Sequence, residues 1–391
     1  VPPKPRGRLF FANPGPTNIP DSILRAIDRP SQDFMDEGFI ALYEDTVTRL
    51  KRILGTKGHV FWYTASGHGA WEASLVNLFS PGDTLLMLES GYFSESWTEM
   101  ARKFGLEVVT VPADWRRGAQ TDAVKAALAA DTAHRFKAVC TVHNETSTGV
   151  TLPVTEIRAA LDETKHPALL LSDTISSLGS LPYRMDSWGI DLTVGGSQKG
   201  LMLPTGMSFN AVSDKAMEAH CRSTMPRHYL DWSVMLGRRH KSFVGTIPTQ
   251  MVHGLAEAIR LIEEEGIGAV WARHRRLAEA VRAAVRVWSA NDGPQLFCAD
   301  PARYSDSVTA VLMPEGHDAE AVRRAALDRY NVSLGGGLGK LGGRVFRIGH
   351  LGDLNEPMIL GTLAAVEMSL SDAGVPHGKG GVAAAMEALA A

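Results

Sequence analysis

The chain has 391 residues, 45% of them hydrophobic, enough for a large core and, at this length, two unequal domains. No apolar run approaches the ~20 residues that cross a bilayer, and the N-terminus shows no charged-then-apolar signal pattern, so a cytoplasmic protein without membrane contacts is expected. Forty basic against 43 acidic residues give a formal charge of −3, which offers no general attraction to nucleic acid.

Cys140, Cys221 and Cys298 are odd in number and widely spaced, a pattern of indifferent thiols in a reducing compartment. The 13 histidines are scattered, and no metal site is expected.

The first informative segment is the apolar run His59-Val60-Phe61-Trp62-Tyr63-Thr64, followed by Ala65-Ser66-Gly67-His68-Gly69 and a helical stretch over 70–79 that stops at Pro81-Gly82. It reads as strand, small-residue turn and helix. Such a turn aims backbone N–H groups and a hydroxyl at an anion on the helix N-terminus, where the dipole also favours negative charge. A phosphate fits there. Further apolar runs follow at 84–88, 107–111, 138–142, 168–171 and 191–194, with helical spacing over 124–130 and 154–161. This alternation predicts an α/β fold with a mostly parallel sheet covered on both faces. Ligands of such sheets gather at the carboxyl ends of the strands.

Two of those ends carry chemistry. The run Ala168-Leu169-Leu170-Leu171-Ser172-Asp173 closes in a carboxylate, and Gly195-Gly196-Ser197-Gln198-Lys199-Gly200 places a lysine among small residues after a strand. Taken singly, the lysine reads as a solvated loop residue and the aspartate as a turn or cap. Together with a phosphate turn they predict pyridoxal phosphate. A desolvated amine forms a Schiff base, and a pyridinium nitrogen needs an acidic partner. Ile175, two residues beyond Asp173 in an extended segment, falls on the same side and packs one ring face.

Long helices are predicted over 248–265 and 270–289, leading into a smaller α+β C-terminal domain. The expected division is an arm over 1–20, a large domain over 21–264 and a small domain over 265–391. The glycine-rich run from Gly335 to Gly343 lacks both the first glycine and the Ser or Thr of a phosphate-binding P-loop, Leu334 and Leu341 standing there. It is read as a mobile loop before an alternating strand, Arg344-Val345-Phe346-Arg347-Ile348.

These segments, with Asn13-Pro14-Gly15-Pro16-Thr17-Asn18, Val142-His143-Asn144-Glu145-Thr146-Ser147-Thr148-Gly149 and Gly196-Ser197-Gln198-Lys199-Gly200-Leu201-Met202-Leu203-Pro204, resemble class V aminotransferases of fold type I. The serine–, aspartate– and alanine–glyoxylate enzymes are the most similar group. The resemblance implies a large domain with a seven-stranded-type sheet and a smaller α+β domain. It also implies a homodimer with shared active sites, an amino acid and glyoxylate as substrates, and Lys199 as the catalytic Schiff-base residue. By the same resemblance Ser66, Gly67, His68, Gln198 and Thr246 hold the cofactor phosphate, Thr246 from the neighbouring subunit. Phe93 stacks on the ring, Thr146 bonds its oxygen, and Asp173 and Ile175 complete the cofactor site. Arg347 binds the substrate carboxylate, bordered by Asn13 and Gly15, while Phe243 stands where alanine–glyoxylate enzymes have a tyrosine.

One stretch departs from these relatives. Where they carry a histidine-led segment at the pocket mouth, this chain has Ser31-Gln32-Asp33-Phe34-Met35-Asp36, whose two carboxylates disfavour a dicarboxylate donor. Serine is the expected donor because Ser197 to Pro204 and His143 to Gly149 most resemble that branch, with aspartate or alanine as alternatives. A lyase of the cysteine desulfurase type needs a nucleophilic cysteine near the substrate arginine, and 335–347 contains none. A cofactor-binding regulator would need a DNA-binding or basic extension, which the sequence also lacks.

Overall fold

The computed structural model describes residues 6–238 and 243–390, so residues 1–5 of the expected arm lie outside the described residues. In chain order the first half runs β1 (Phe10–Ala12), α1 (Asp21–Ile27), α2 (Glu37–Leu54), β2 (His59–Tyr63), α3 (Gly67–Leu78), β3 (Thr84–Leu88), α4 (Tyr92–Lys103), β4 (Glu107–Val111) and α5 (Thr121–Ala130). It continues through β5 (Phe136–Val142), the short β6 (Asn144–Glu145) and β7 (Val150–Thr151), α6 (Val154–Glu163), β8 (Leu169–Asp173), β9 (Leu192–Gly196) and β10 (Ser208–Val212). The remainder comprises α7 (Asp214–His220), α8 (Trp232–Leu236), α9 (Thr249–Glu265), α10 (Ile267–Trp288), β11 (Gln295–Leu296), β12 (Val308–Leu312), α11 (Ala319–Tyr330), β13 (Val332–Gly336), β14 (Val345–Gly349), α12 (Glu356–Asp372) and α13 (Gly381–Ala390).

The strands form a seven-stranded sheet in the order β2-β10-β9-β8-β5-β3-β4 and a five-stranded sheet in the order β1-β13-β14-β12-β11. In the larger sheet only β10 runs against its neighbours. Strands β3, β8 and β9 are buried at every position, which is why they read as continuous apolar runs rather than alternating ones. Successive residues serve opposite faces: Leu86, Val139 and Leu170 join one core cluster, and Leu85, Cys140 and Leu171 the other. No helix among the described residues is long and apolar enough to cross a membrane.

The smaller sheet is antiparallel except where β1 joins β13 in parallel. Its core takes Leu277, Val281 and Trp288 from α10 and Ile359, Leu363 and Val366 from α12. The expectation of a mobile loop over 335–343 is corrected here. Gly335 and Gly336 are the last residues of β13, paired with Arg347 and Phe346, and Gly339–Leu341 forms a 3-10 turn. A Cβ on Gly337 would lie 1.9 Å from the Leu341 carbonyl oxygen, so these glycines permit close packing rather than motion.

Trp288 ties the C-terminal helix to this sheet. It is fully buried and its Nε1 donates to Glu367 Oε2 at 2.9 Å, while Glu367 also accepts from the Gly380 N–H at 2.8 Å. Trp288→Ala should therefore lose about 3–5 kcal/mol of unfolding free energy, read as a lower urea midpoint.

Candidate active site

Strand ends of the larger sheet converge on one cavity of ≈ 650 Å³, counted to its open mouth. Ser66, Gly67 and His68 line it from beyond β2, Phe93 from beyond β3, Thr146 from beyond β5, Asp173 and Ile175 from the end of β8, and Gln198 and Lys199 from beyond β9. This is the arrangement that parallel sheets impose on their ligands.

At its base Lys199 is buried. Burial, and then the Arg347 charge, push its amine down to about 7, against the opposing influence of Asp173 and Glu145. Its Nζ donates to the Pro14 carbonyl. The N-terminal segment crosses directly above: Gly15 has φ 119°, and a Cβ there would stand 2.3 Å from Lys199 Cε. Thr17 fastens this crossing, its N–H donating to the Gln198 carbonyl at 3.2 Å and its hydroxyl to the Lys199 carbonyl at 3.1 Å.

Asp173 accepts from the Ile175 N–H at 2.7 Å and from Trp71 Nε1 at 2.8 Å. Burial nevertheless raises its carboxyl to about 7. The side chain is thus poised between its two protonation states, the condition in which an acceptor or a shared proton is available to a buried ring nitrogen.

The opposite end is a helix N-terminus. Ser66 caps α3 without a side-chain hydrogen bond, leaving its hydroxyl and the positive end of the helix facing the cavity. A Cβ on Gly67 would sit 2.2 Å from Ile175 Cδ1, so only glycine lets turn and wall approach. Gln198 Oε1 is buried without a hydrogen-bond partner among the described residues. An orphaned amide oxygen calls for a donor, so Gln198 would meet a phosphate only through its NH2 group, with the amide turned over.

Arg347, in the central strand of the smaller sheet, is buried and anchored to a wall of the cavity. Its Nη1 donates to the Thr146 carbonyl at 3.0 Å and its Nε to the Gly336 carbonyl at 2.7 Å. Burial lowers it to about 10, so it remains a cation at neutral pH. The two carbonyls fix the plane of the guanidinium, and Arg347 meets the cavity through the Thr146 carbonyl and is not itself in the lining.

Not every expected residue comes to this cavity. Asn13 donates to Ser333 Oγ at 2.6 Å and lies behind the lining. Thr246, expected at the phosphate of the neighbouring subunit, is exposed and outside this lining. Phe243 is corrected to a core residue: it is 2% exposed and meets the Tyr43 ring edge-on with centroids 6.1 Å apart, so it has no surface left for substrate. Asp33 and Asp36 cap their own backbone, accepting from the Met35 and Phe39 N–H groups. Sequence reasoning missed Trp71 and Asn144, both in the lining. Trp71 stands four residues after Gly67, on the same helical face, which is a readable signal. Asn144 gives none, because its partners Ser176 and Ser307 are distant in sequence.

The family model for class-V aminotransferases matches residues 9–340. The chain belongs to that family. Among its relatives, the serine–glyoxylate aminotransferase of Methylorubrum extorquens is 43% identical, covering 98% of this chain and 96% of its own. The L-aspartate–glyoxylate aminotransferase of Paracoccus denitrificans is 42% identical over 96% of this chain and 94% of its own. The crystal structure of ureidoglycine–glyoxylate aminotransferase from Bacillus subtilis superposes with a TM-score of 0.89 at 25% identity, over 99% of both chains.

In this class-V aminotransferase the two buried groups give opposite pH dependences to the ligand-free chain. The raised Asp173 carboxyl contributes stability that is present below its ordinary acidic value and lost as pH rises to about 7. The lowered Lys199 amine makes stability rise with pH from about 7 toward the ordinary lysine value. Unfolding scans should show Asp173→Asn removing the loss below pH 7 and Lys199→Met removing the gain above it. Unchanged profiles would mean that neither group is desolvated.

Proposed function

We propose that the protein is a pyridoxal phosphate-dependent aminotransferase that moves an amino group from a small L-amino acid to glyoxylate, yielding glycine and a 2-oxo acid. One observation carries this reading: a buried amine held near neutrality shares a cavity with a buried carboxyl, and a helix N-terminus closes its other end. The relatives named for glyoxylate support the acceptor. Serine is the first-choice donor and aspartate or alanine the alternatives.

In this reading Ser66, Gly67, His68 and Gln198 hold the phosphate. Phe93 and Ile175 cover the two ring faces, Thr146 meets the ring oxygen, and Asp173 faces the ring nitrogen. Bound there, pyridoxal phosphate supplies an electron sink for the pair left when a proton departs from the substrate α-carbon. Lys199 would hold the group and would move that proton as general base. Its low basicity, set by burial, keeps it competent for both tasks. Arg347 takes the carboxylate of donor and acceptor in turn, as ping-pong kinetics require of a single site. The division at residues 20 and 264, a homodimer in which Thr246 reaches the neighbouring phosphate, and a cytoplasmic location belong to the same proposal.

Cysteine desulfurase chemistry is disfavoured by placement: Cys140 is buried in β5, and burial pushes the Cys298 thiol up to about 11. Borohydride treatment of the cofactor-loaded protein followed by peptide mapping should label Lys199, and Lys199→Ala should abolish transamination while retaining noncovalent cofactor binding. Label on another lysine overturns the assignment.

Arg347→Lys keeps the charge and loses the fork. It should lower the specificity constants of both half-reactions by about 30- to 150-fold, as expected for losing a charge-assisted hydrogen bond of ~2–3 kcal/mol. Loss on the donor side alone would mean that Arg347 reads a donor side chain.

A further inference from the structure

Glu145 carries a fully buried carboxyl with no part in the chemistry above; burial pushes it up, against the opposing pull of its hydrogen bonds from Ser147, Ser94 and Phe93. Its Oε2 accepts from the N–H groups of Phe93 at 3.1 Å and Ser94 at 3.3 Å. Its Oε1 accepts from the Ser147 N–H at 3.1 Å and the Ser147 hydroxyl at 2.6 Å. That hydroxyl in turn accepts from the Tyr92 N–H at 3.0 Å. The first three amides of α4 are therefore satisfied by a hairpin more than fifty residues away in sequence.

The reason lies at Gly91, which precedes the helix and has no side chain to cap it. A Cβ there would fall 2.5 Å from both Glu145 Cγ and Ser147 Oγ, so the external cap occupies the space a local one would need. A carboxylate at this end also meets the positive pole of the helix. On its other side the hairpin holds Arg347, through the carbonyl of the very next residue, Thr146.

We propose that Glu145 is a positioning residue that joins the two halves of the site: it seats Phe93 by capping α4 from outside, and its charge balances Arg347 and Lys199. The balance is needed because Arg347 forms no ion pair among the described residues; its hydrogen bonds go to carbonyl oxygens. The charged groups facing Lys199 are Arg347 from β14, Asp173 from β8 and Glu145 from β6. Those facing Arg347 are Glu145 and, from α11, Arg323. Removing the Glu145 charge leaves two cations against one carboxyl, so a proton on the Lys199 nitrogen is held less well. The inference rests on the cofactor reading only for the meaning of Phe93; the cap itself does not depend on it.

Two variants separate cap from charge. Glu145→Gln keeps an acceptor for the α4 amides and deletes the charge, whereas Glu145→Ala deletes both. In the full chain without added cofactor, amide exchange at Phe93 and Ser94 should quicken about fivefold in Glu145→Ala, as for the loss of a helix cap, and much less in Glu145→Gln. In pyridoxal phosphate-loaded protein, the pH midpoint of the visible absorbance should fall by about one pH unit in Glu145→Gln, a change that a purely structural role would not produce. Unchanged exchange in Glu145→Ala overturns the cap, and an unchanged midpoint in Glu145→Gln overturns the charge. If the alanine chain does not fold, the glutamine chain decides through the midpoint. A wild-type chain that binds no pyridoxal phosphate counts against the function proposed above, while the exchange result still judges the cap.

Discussion

Desolvation of Lys199 is the constraint on which the rest depends. An amine in water stays protonated at neutral pH and is no nucleophile; here burial removes most of that preference. The same burial acts on Asp173 in the opposite sense. Both groups end near neutrality, one able to attack a carbonyl and the other able to share a proton. The surrounding structure keeps water from restoring them to their ordinary states. The N-terminal crossing at Gly15 and Thr17 covers the lysine, and Trp71 with the Ile175 backbone covers the carboxylate.

That enclosure follows from the sheet. Parallel strands buried on both faces end along one edge, and their following turns must meet there. Asp173 ends β8 and Lys199 lies in the turn just beyond the adjacent strand β9, so strand spacing brings the two together. The Arg347 strand belongs to the other sheet, and its hold on the cavity is the Thr146 carbonyl. The β6–β7 hairpin thus links the wall of the cavity to the Arg347 strand.

Much of this was legible because the local signals are strong. A strand, a small-residue turn and a helix announce an anion site from order alone, and the residues after apolar runs 168–171 and 191–194 fall at neighbouring strand ends by the rule for parallel sheets. The illegible residues owe their roles to contacts across the chain. Glu145 caps a helix from fifty residues away, and Asn144 bonds Ser307 in the other half of the chain; no periodicity records either. Phe243 misled because its alignment with a tyrosine says nothing of the Tyr43 ring that buries it. The glycine run over 335–343 misled because glycine permits close approach as readily as motion, and only the positions of Pro14 and Leu341 distinguish the two.

A half-reaction carried out with the cofactor-loaded protein and no acceptor tests the central claim most directly. Serine, aspartate and alanine are each added alone, the visible absorbance is followed, and glyoxylate is then supplied. The account predicts stoichiometric loss of absorbance with release of a 2-oxo acid, fastest with serine, and full recovery on adding glyoxylate with one glycine formed per site. Absorbance that survives all three amino acids, or that glyoxylate fails to restore, would contradict amino-group transfer through this cavity.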